Sequence, residues 1–140
     1  MSGTTVVRTF PVPRERLWRA WTGPEFAIWF GTEAVPVADL KQDVRHGGHW
    51  SATMHLPDGT VKHWVGEFLE LDPPERLVLT LTDEPEHPAR ALITVHFTEA
   101  RGVTTMTMFQ TGSGLSAEEY QQVNAGYQRF FDTLEKLVTS

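Results

Sequence analysis

The chain contains no cysteine. Disulfides, thiolate zinc sites and cysteine nucleophiles are therefore excluded, and the composition suits a reducing cytoplasm, which is the expected location. Basic runs are missing too. Twelve Lys and Arg stand against eighteen Asp and Glu, scattered along the chain, so neither nucleic acid nor an anionic membrane is expected as a partner. Apolar runs stay far below the roughly 20 residues that a membrane-spanning helix needs. Met1-Ser2-Gly3-Thr4-Thr5 lacks a basic region leading into an apolar run, so no secretory signal is expected. Internal repeats and low-complexity tracts are absent, as are serine-hydrolase, phosphate-loop and dinucleotide fingerprints.

What is present is aromatic. Five Trp and eight Phe accompany only two Tyr in 140 residues. Burying Trp is costly when its indole N–H finds no partner, so such a cluster points to a cavity or an interface as well as to core. The length suits one domain, residues 1–140, with a core that needs no covalent staples.

The longest helical pattern runs from Ser116 to Val138. Tyr120, Val123, Tyr127, Phe130, Phe131, Leu134, Leu137 and Val138 recur at three- and four-residue steps, one stripe of an amphipathic helix. Ser116 with Glu119 three residues later predicts a capping box, each side chain accepting from the other residue's free amide. At 1.5 Å per residue the helix is on the order of 35 Å long and crosses a small domain. Everything upstream reads mostly as strands. Thr4 to Phe10 alternates; Pro13, as first helical residue, opens a short helix with Leu17, Trp18 and Trp21 on one face. Pro24 opens a second with Phe26, Trp29 and Phe30, which Gly31 ends. Strands are then expected at 34–41, 46–56, 60–71, 76–82, 90–98 and 103–111.

The hairpin Leu56-Pro57-Asp58-Gly59-Thr60 predicts a three-residue loop with Gly in the left-handed position and Leu56 facing Thr60. Counting outward, Trp50, Ala52, Met54, Trp64, Gly66 and Phe68 share one face, with Gly66 opposite Trp50 where a missing side chain admits an indole. His49, Ser51, Thr53, His55, His63 and Glu67 take the other, wet face. Parity of the meander puts the turns at 57–59, 83–89 and 112–115 at one rim. The longest connection, 83–89, and Gly112 and Gly114 lie there, so an opening at that rim and plain solvated loops both remain as readings.

Several stretches then carry a resemblance. They are Arg8-Thr9-Phe10 with Pro13-Arg14-Glu15-Arg16-Leu17-Trp18; Trp29-Phe30; Gly47-Gly48-His49-Trp50; Pro57-Asp58-Gly59; Gly66 to Leu71 running into Asp72-Pro73-Pro74-Glu75-Arg76-Leu77; and Gly126-Tyr127 before Leu134. In this order the chain resembles the SRPBCC (START-like, helix-grip) superfamily, and within it the group similar to the C-terminal domain of the activator of heat-shock chaperone ATPase. The resemblance implies an α+β fold: a curved antiparallel sheet of about seven strands around a long C-terminal helix, with two short helices after the first strand. It departs mildly at Tyr127, where that family often has Trp. None of these motifs is catalytic, so fold follows from them more directly than function.

The resemblance also implies a cavity between the long helix and the concave sheet face. The residues expected on it are Trp21, Phe26, Trp29, Phe30, Trp50, Met54, Trp64, Phe68, Leu79, Leu81, Met106, Met108, Tyr120, Tyr127 and Phe131, with Gln110 and Asn124 as inward polar groups. Gln110 and Asn124 either bind a ligand or satisfy a backbone group or a tyrosine hydroxyl. Gly126 costs about 1 kcal/mol against Ala inside a helix, and close approach of a strand or short helix is the expected return. The six His make a poor metal site. His46 and His49 face opposite ways on a regular strand, and His49 and His55 sit about 20 Å apart. No metal or other cofactor is expected. Ligand binding is the first expectation, with a small apolar or aromatic molecule as partner. Action on a heat-shock chaperone comes second. An aromatase/cyclase-type enzyme comes last, for want of an inward carboxylate or His. A monomer and a homodimer are both compatible with the sequence.

Overall fold

Alternating β-branched and polar residues build β1 (Gly3–Phe10), with Val6 and Phe10 buried and Val7 turned to solvent. Pro11-Val12-Pro13 stops it. α1 (Arg14–Thr22) and α2 (Phe26–Trp29) follow, then a meander of β2 (Val37–Gln42), β3 (His49–His55), β4 (Val61–Asp72), β5 (Arg76–Leu81), β6 (Ala91–Ala100) and β7 (Val103–Thr111). α3 (Ala117–Thr139) closes the chain. This computed structural model describes residues 3–30, 37–84, 86, 90–112 and 115–140. The expected helix stop at Gly31, the strand start at 34–36, most of 85–89 and Gly114 lie outside them.

The seven strands form one antiparallel sheet in the order β1-β7-β6-β5-β4-β3-β2. β4 makes the sheet bend. Its first part, Val61–Glu67, pairs with β3, while Phe68–Asp72 pairs with β5, and the register shifts between Phe68 and Glu70. Such an irregularity bends a strand and adds twist, so the sheet can curve around a helix. The β3–β4 hairpin has the expected register: Leu56 N–H donates to Thr60 O (2.8 Å), Gly59 has φ +89°, and Trp50 stands opposite Gly66. A Cβ on Gly66 would overlap both the Thr80 carbonyl and the Trp50 indole. That space lets Trp50 Nε1 reach across to Thr80 O at 3.1 Å.

Three local expectations shift. Pro13 is the N-cap of α1 in extended conformation (ψ 153°), not its first helical residue; Arg16 N–H closes the first turn on its carbonyl. Pro24 lies in the turn before α2, which starts at Phe26. β3 starts at His49 and not at residue 46, because Asp43–Gly48 folds into a turn with Gly47 at φ +80°. His46 therefore sits on that turn.

α3 begins with the capping box: Glu119 N–H donates to Ser116 Oγ (3.1 Å) and Ser116 N–H to Glu119 Oε1 (3.0 Å). Its stripe lies on the concave face, with Phe131 and Leu134 fully buried. α1 and α2 wedge aromatic rings between the sheet and α3. Trp21 and Trp29 meet at 4.6 Å, Trp29 and Phe131 at 5.9 Å, and Phe26 and Trp50 at 5.3 Å between centroids. Burial of each large apolar side chain contributes about 1.5–3 kcal/mol, so this wedge is a main source of stability.

Both sheet edges are shielded. At β1, Asn124 and Asp132 of α3 reach over the strand: Asn124 Nδ2 donates to Thr4 Oγ1 (2.8 Å) and Thr5 O (3.0 Å), and Arg8 pairs with Asp132 at 2.8 Å. At β2 the register shifts between Ala38 and Lys41, with Asp39 at φ 53°. Covered or bulged edges resist pairing with another chain.

Candidate functional site

α3 rests on β1, α1 and α2. Towards the rim of β4, β5 and β6 it stands off the sheet and leaves a cavity of about 460 Å³. The helix wall is Val123, Gly126, Tyr127 and Phe130; the sheet wall is Trp64, Leu81, Ala91 and Gln110; Phe30 closes one side. Thr82, Asp83, Glu84, Arg90 and Leu115 form the mouth. Volumes of 300–1,000 Å³ with apolar walls and few polar groups are usual for small-molecule sites.

The walls follow from local patterning. Trp64 and Gln110 are inward by strand alternation. Phe30 meets Trp64 edge-on (5.7 Å) and Phe130 at a tilt (5.4 Å), so three rings frame the apolar half. Gly126 is the informative position: an added Cβ would meet nothing within 4 Å. The expectation of close approach there is corrected, because the glycine faces open space.

Polar chemistry in the cavity centres on one pair. Tyr127 is buried, and its hydroxyl donates to Gln110 Oε1 at 2.8 Å. Burial pushes the phenol well above its ordinary pKa by desolvating the charged form. It stays protonated and works as a donor, not as a base. At the mouth Lys62 Nζ pairs with Asp83 (3.3 Å) and lies 5.4 Å from the Trp64 ring centroid, a cation–π position. Three indoles have acceptors: Trp21 on Met106 Sδ (3.3 Å), Trp29 on Ala20 O (2.8 Å) and Trp50 on Thr80 O. The buried Trp64 Nε1 has no hydrogen-bond partner among the described residues.

Of the residues expected on the cavity, the structure brings Phe30, Trp64, Leu81, Gln110 and Tyr127 to its wall. Trp21, Phe26, Trp29, Trp50, Met54, Phe68, Leu79, Met106, Met108 and Phe131 sit in close-packed core, and Tyr120 is buried away from the wall. The reason is that the short helices fill the other half of the concave face with rings, against which α3 packs. Asn124 is corrected as well: it is spent on Thr4 and Thr5 of β1 and lies off the cavity wall. Val123, Phe130 and Gly126 are wall residues that were not assigned to it. The first two belong to the helical stripe, and the third carried a signal as a glycine inside a long helix. Among the described residues no cluster of three or more His, Asp or Glu could hold a metal ion. His49 and Glu67 (3.6 Å) form an exposed pair on the outer face. No helix among the described residues is long and apolar enough to cross a membrane.

Residues 11–139 match the family described as Activator of Hsp90 ATPase homolog 1-like protein. Among solved structures, a protein from Chromobacterium violaceum is 24% identical, with 99% of this chain and 97% of that chain aligned and a TM-score of 0.86. A protein from Mycobacterium smegmatis is 26% identical over 98% of this chain and 90% of that one (TM-score 0.81). An AHSA1-like protein from Aeromonas hydrophila is 20% identical over 99% and 92% (TM-score 0.81). These likenesses fix the helix-grip fold. No curated protein matches the chain.

Proposed function

This chain belongs to the Activator of Hsp90 ATPase homolog 1-like family, and from that premise we propose that it is a small cytoplasmic binding domain for an apolar or aromatic molecule held between α3 and the sheet. The observation that carries this reading is Gly126. A helix-interior glycine costs about 1 kcal/mol against alanine, and here it leaves room in a cavity of about 460 Å³ framed by Phe30, Trp64 and Phe130. Space of that kind loses contacts that a larger residue would make, so its upkeep supports occupation by something else.

The test is native mass spectrometry of the protein with a panel of neutral aromatic compounds, beside Gly126→Leu. The leucine projects into the cavity without meeting other atoms at its Cβ, so the fold should survive. One-to-one adducts on the wild type that weaken at least tenfold in the variant are expected. Absence of adducts across the panel, or equal adducts in both proteins, would overturn the reading.

The family description supports a second reading, stimulation of a heat-shock chaperone ATPase. An ATPase assay with the chain in large excess decides it: an unchanged rate removes it. Enzymatic turnover has less support, since Tyr127, the buried ionisable group of the cavity wall, holds its proton too tightly to act as a base.

A further inference from the structure

We propose that the Gln110–Tyr127 pair sets the chemical class of the ligand: an apolar body carrying one neutral hydrogen-bond acceptor, such as a ketone or ester oxygen. This rests on the binding reading above and names which member of the apolar class fits.

An amide side chain offers an oxygen acceptor and a nitrogen donor on opposite arms, and either can turn into a cavity. Here the choice is made by the neighbour. Tyr127 is buried and has a hydroxyl proton to place. Gln110 Oε1, at 2.8 Å, is its acceptor among the described residues. With Oε1 engaged, the arm left to Gln110 is its Nε2 donor, for which no partner occurs among the described residues. Gln110 is itself 4% exposed and lies on the cavity wall. A ligand that displaces solvent from this donor leaves it unpaired, at a cost, unless the ligand supplies an acceptor. A ligand offering only a donor would meet the N–H head-on. The rest of the wall, Trp64, Leu81, Val123 and Phe130, calls for an apolar body. Tyr127 is thus a positioning residue that acts through Gln110.

The experiment uses two probes of nearly the same shape, 2-acetylnaphthalene, which carries a carbonyl, and 2-isopropenylnaphthalene, which does not. Their Kd values are measured by calorimetry on the wild type, Gln110→Met and Tyr127→Phe. The ratio of the two Kd values in each protein, compared between proteins, cancels the difference in hydrophobicity of the probes. Relative to Gln110→Met, the wild type should favour the ketone by roughly three- to tenfold, the scale of one hydrogen bond. Tyr127→Phe keeps the ring but frees the amide to turn, and should lose roughly half of that preference on a logarithmic scale. A merely structural role for either residue would weaken both probes equally. A ratio unchanged in Gln110→Met, with both probes still bound, would overturn the acceptor rule and leave the binding reading standing. If neither probe binds the wild type, both fall.

Discussion

The two halves of the concave face are built from the same kinds of residue and end in opposite states. On the β1 side, Trp21, Trp29 and Phe131 interlock at 4.6–6.2 Å between ring centroids, and α3 is tied down by Asn124 and Asp132. On the β4–β6 side, Phe30, Trp64 and Phe130 stand around a space of about 460 Å³. The glycines mark the contrast. Gly66 is small because Trp50 and the Thr80 carbonyl occupy its side-chain position; Gly126 is small with nothing there at all. Aromatic content alone therefore says nothing about filling. What differs is how close the opposing backbone comes, and that is set by the short helices and by the polar clamp on β1.

The contrast can be broken most directly at Phe131. Phe131→Ala should cost about 3–5 kcal/mol, because the packed side cannot collapse around the lost ring. Phe130→Ala, one residue earlier and beside the cavity, should cost only about 1 kcal/mol. Urea unfolding of both variants reads the difference, and equal losses would mean that the two halves are packed alike. Next come the glycines. Gly66→Ala should destabilise by about 1–3 kcal/mol through overlap with Thr80 and Trp50. Gly126→Ala should stabilise by about 0.5–1 kcal/mol through helix propensity. Opposite signs in thermal melts are the expected outcome; a destabilised Gly126→Ala would put a hidden contact at that position. The clamp is smaller: Asn124→Ala, which strips two hydrogen bonds from β1, should lose about 1 kcal/mol. Hydrogen exchange in β1 should rise with it, while protection in β4 stays unchanged.

The smallest effect concerns pH. Arg16 and Glu25 make a two-pronged pair (2.6 and 2.9 Å) that joins α1 to the turn before α2. The hydrogen bonds from Arg16 hold the Glu25 carboxyl below its ordinary pKa. A depressed carboxylate stabilises the fold above its unfolded-state pKa and loses that contribution as pH falls through the folded-state value. The pair is only partly buried, so about 1 kcal/mol is at stake. The stability gap between wild type and Glu25→Gln should thus be present near neutral pH and close below about pH 4. A gap that persists in strong acid would show the pair to act through packing instead.

Much of the fold was legible from short-range pattern. The α3 stripe, its capping box, the Leu56–Thr60 hairpin and the Trp50–Gly66 opposition all appear where spacing and turn chemistry put them. The site was legible only in part. Gln110 and Tyr127 could be placed inward by parity, and Trp64 by the hairpin register, but Asn124 could not be separated from them. It shares the helix face of Tyr127 to within a fraction of a turn, and its partner is an edge strand more than a hundred residues away. Gly126 carried a signal of the wrong sign, since a helical glycine reads equally as a crowded place or an empty one.

By itself, then, the sequence determined which residues share a face, how β3 and β4 are registered, and where α3 begins, because each depends on periods and turns a few residues long. Tertiary structure alone decided that the rings near Trp21 fill their half while those near Trp64 leave a cavity. Filling depends on how far α3 stands from the sheet, and that comes from the sum of side-chain volumes delivered by elements far apart in the chain. The long helix was visible from its own residues. The space beside it belongs to no single stretch.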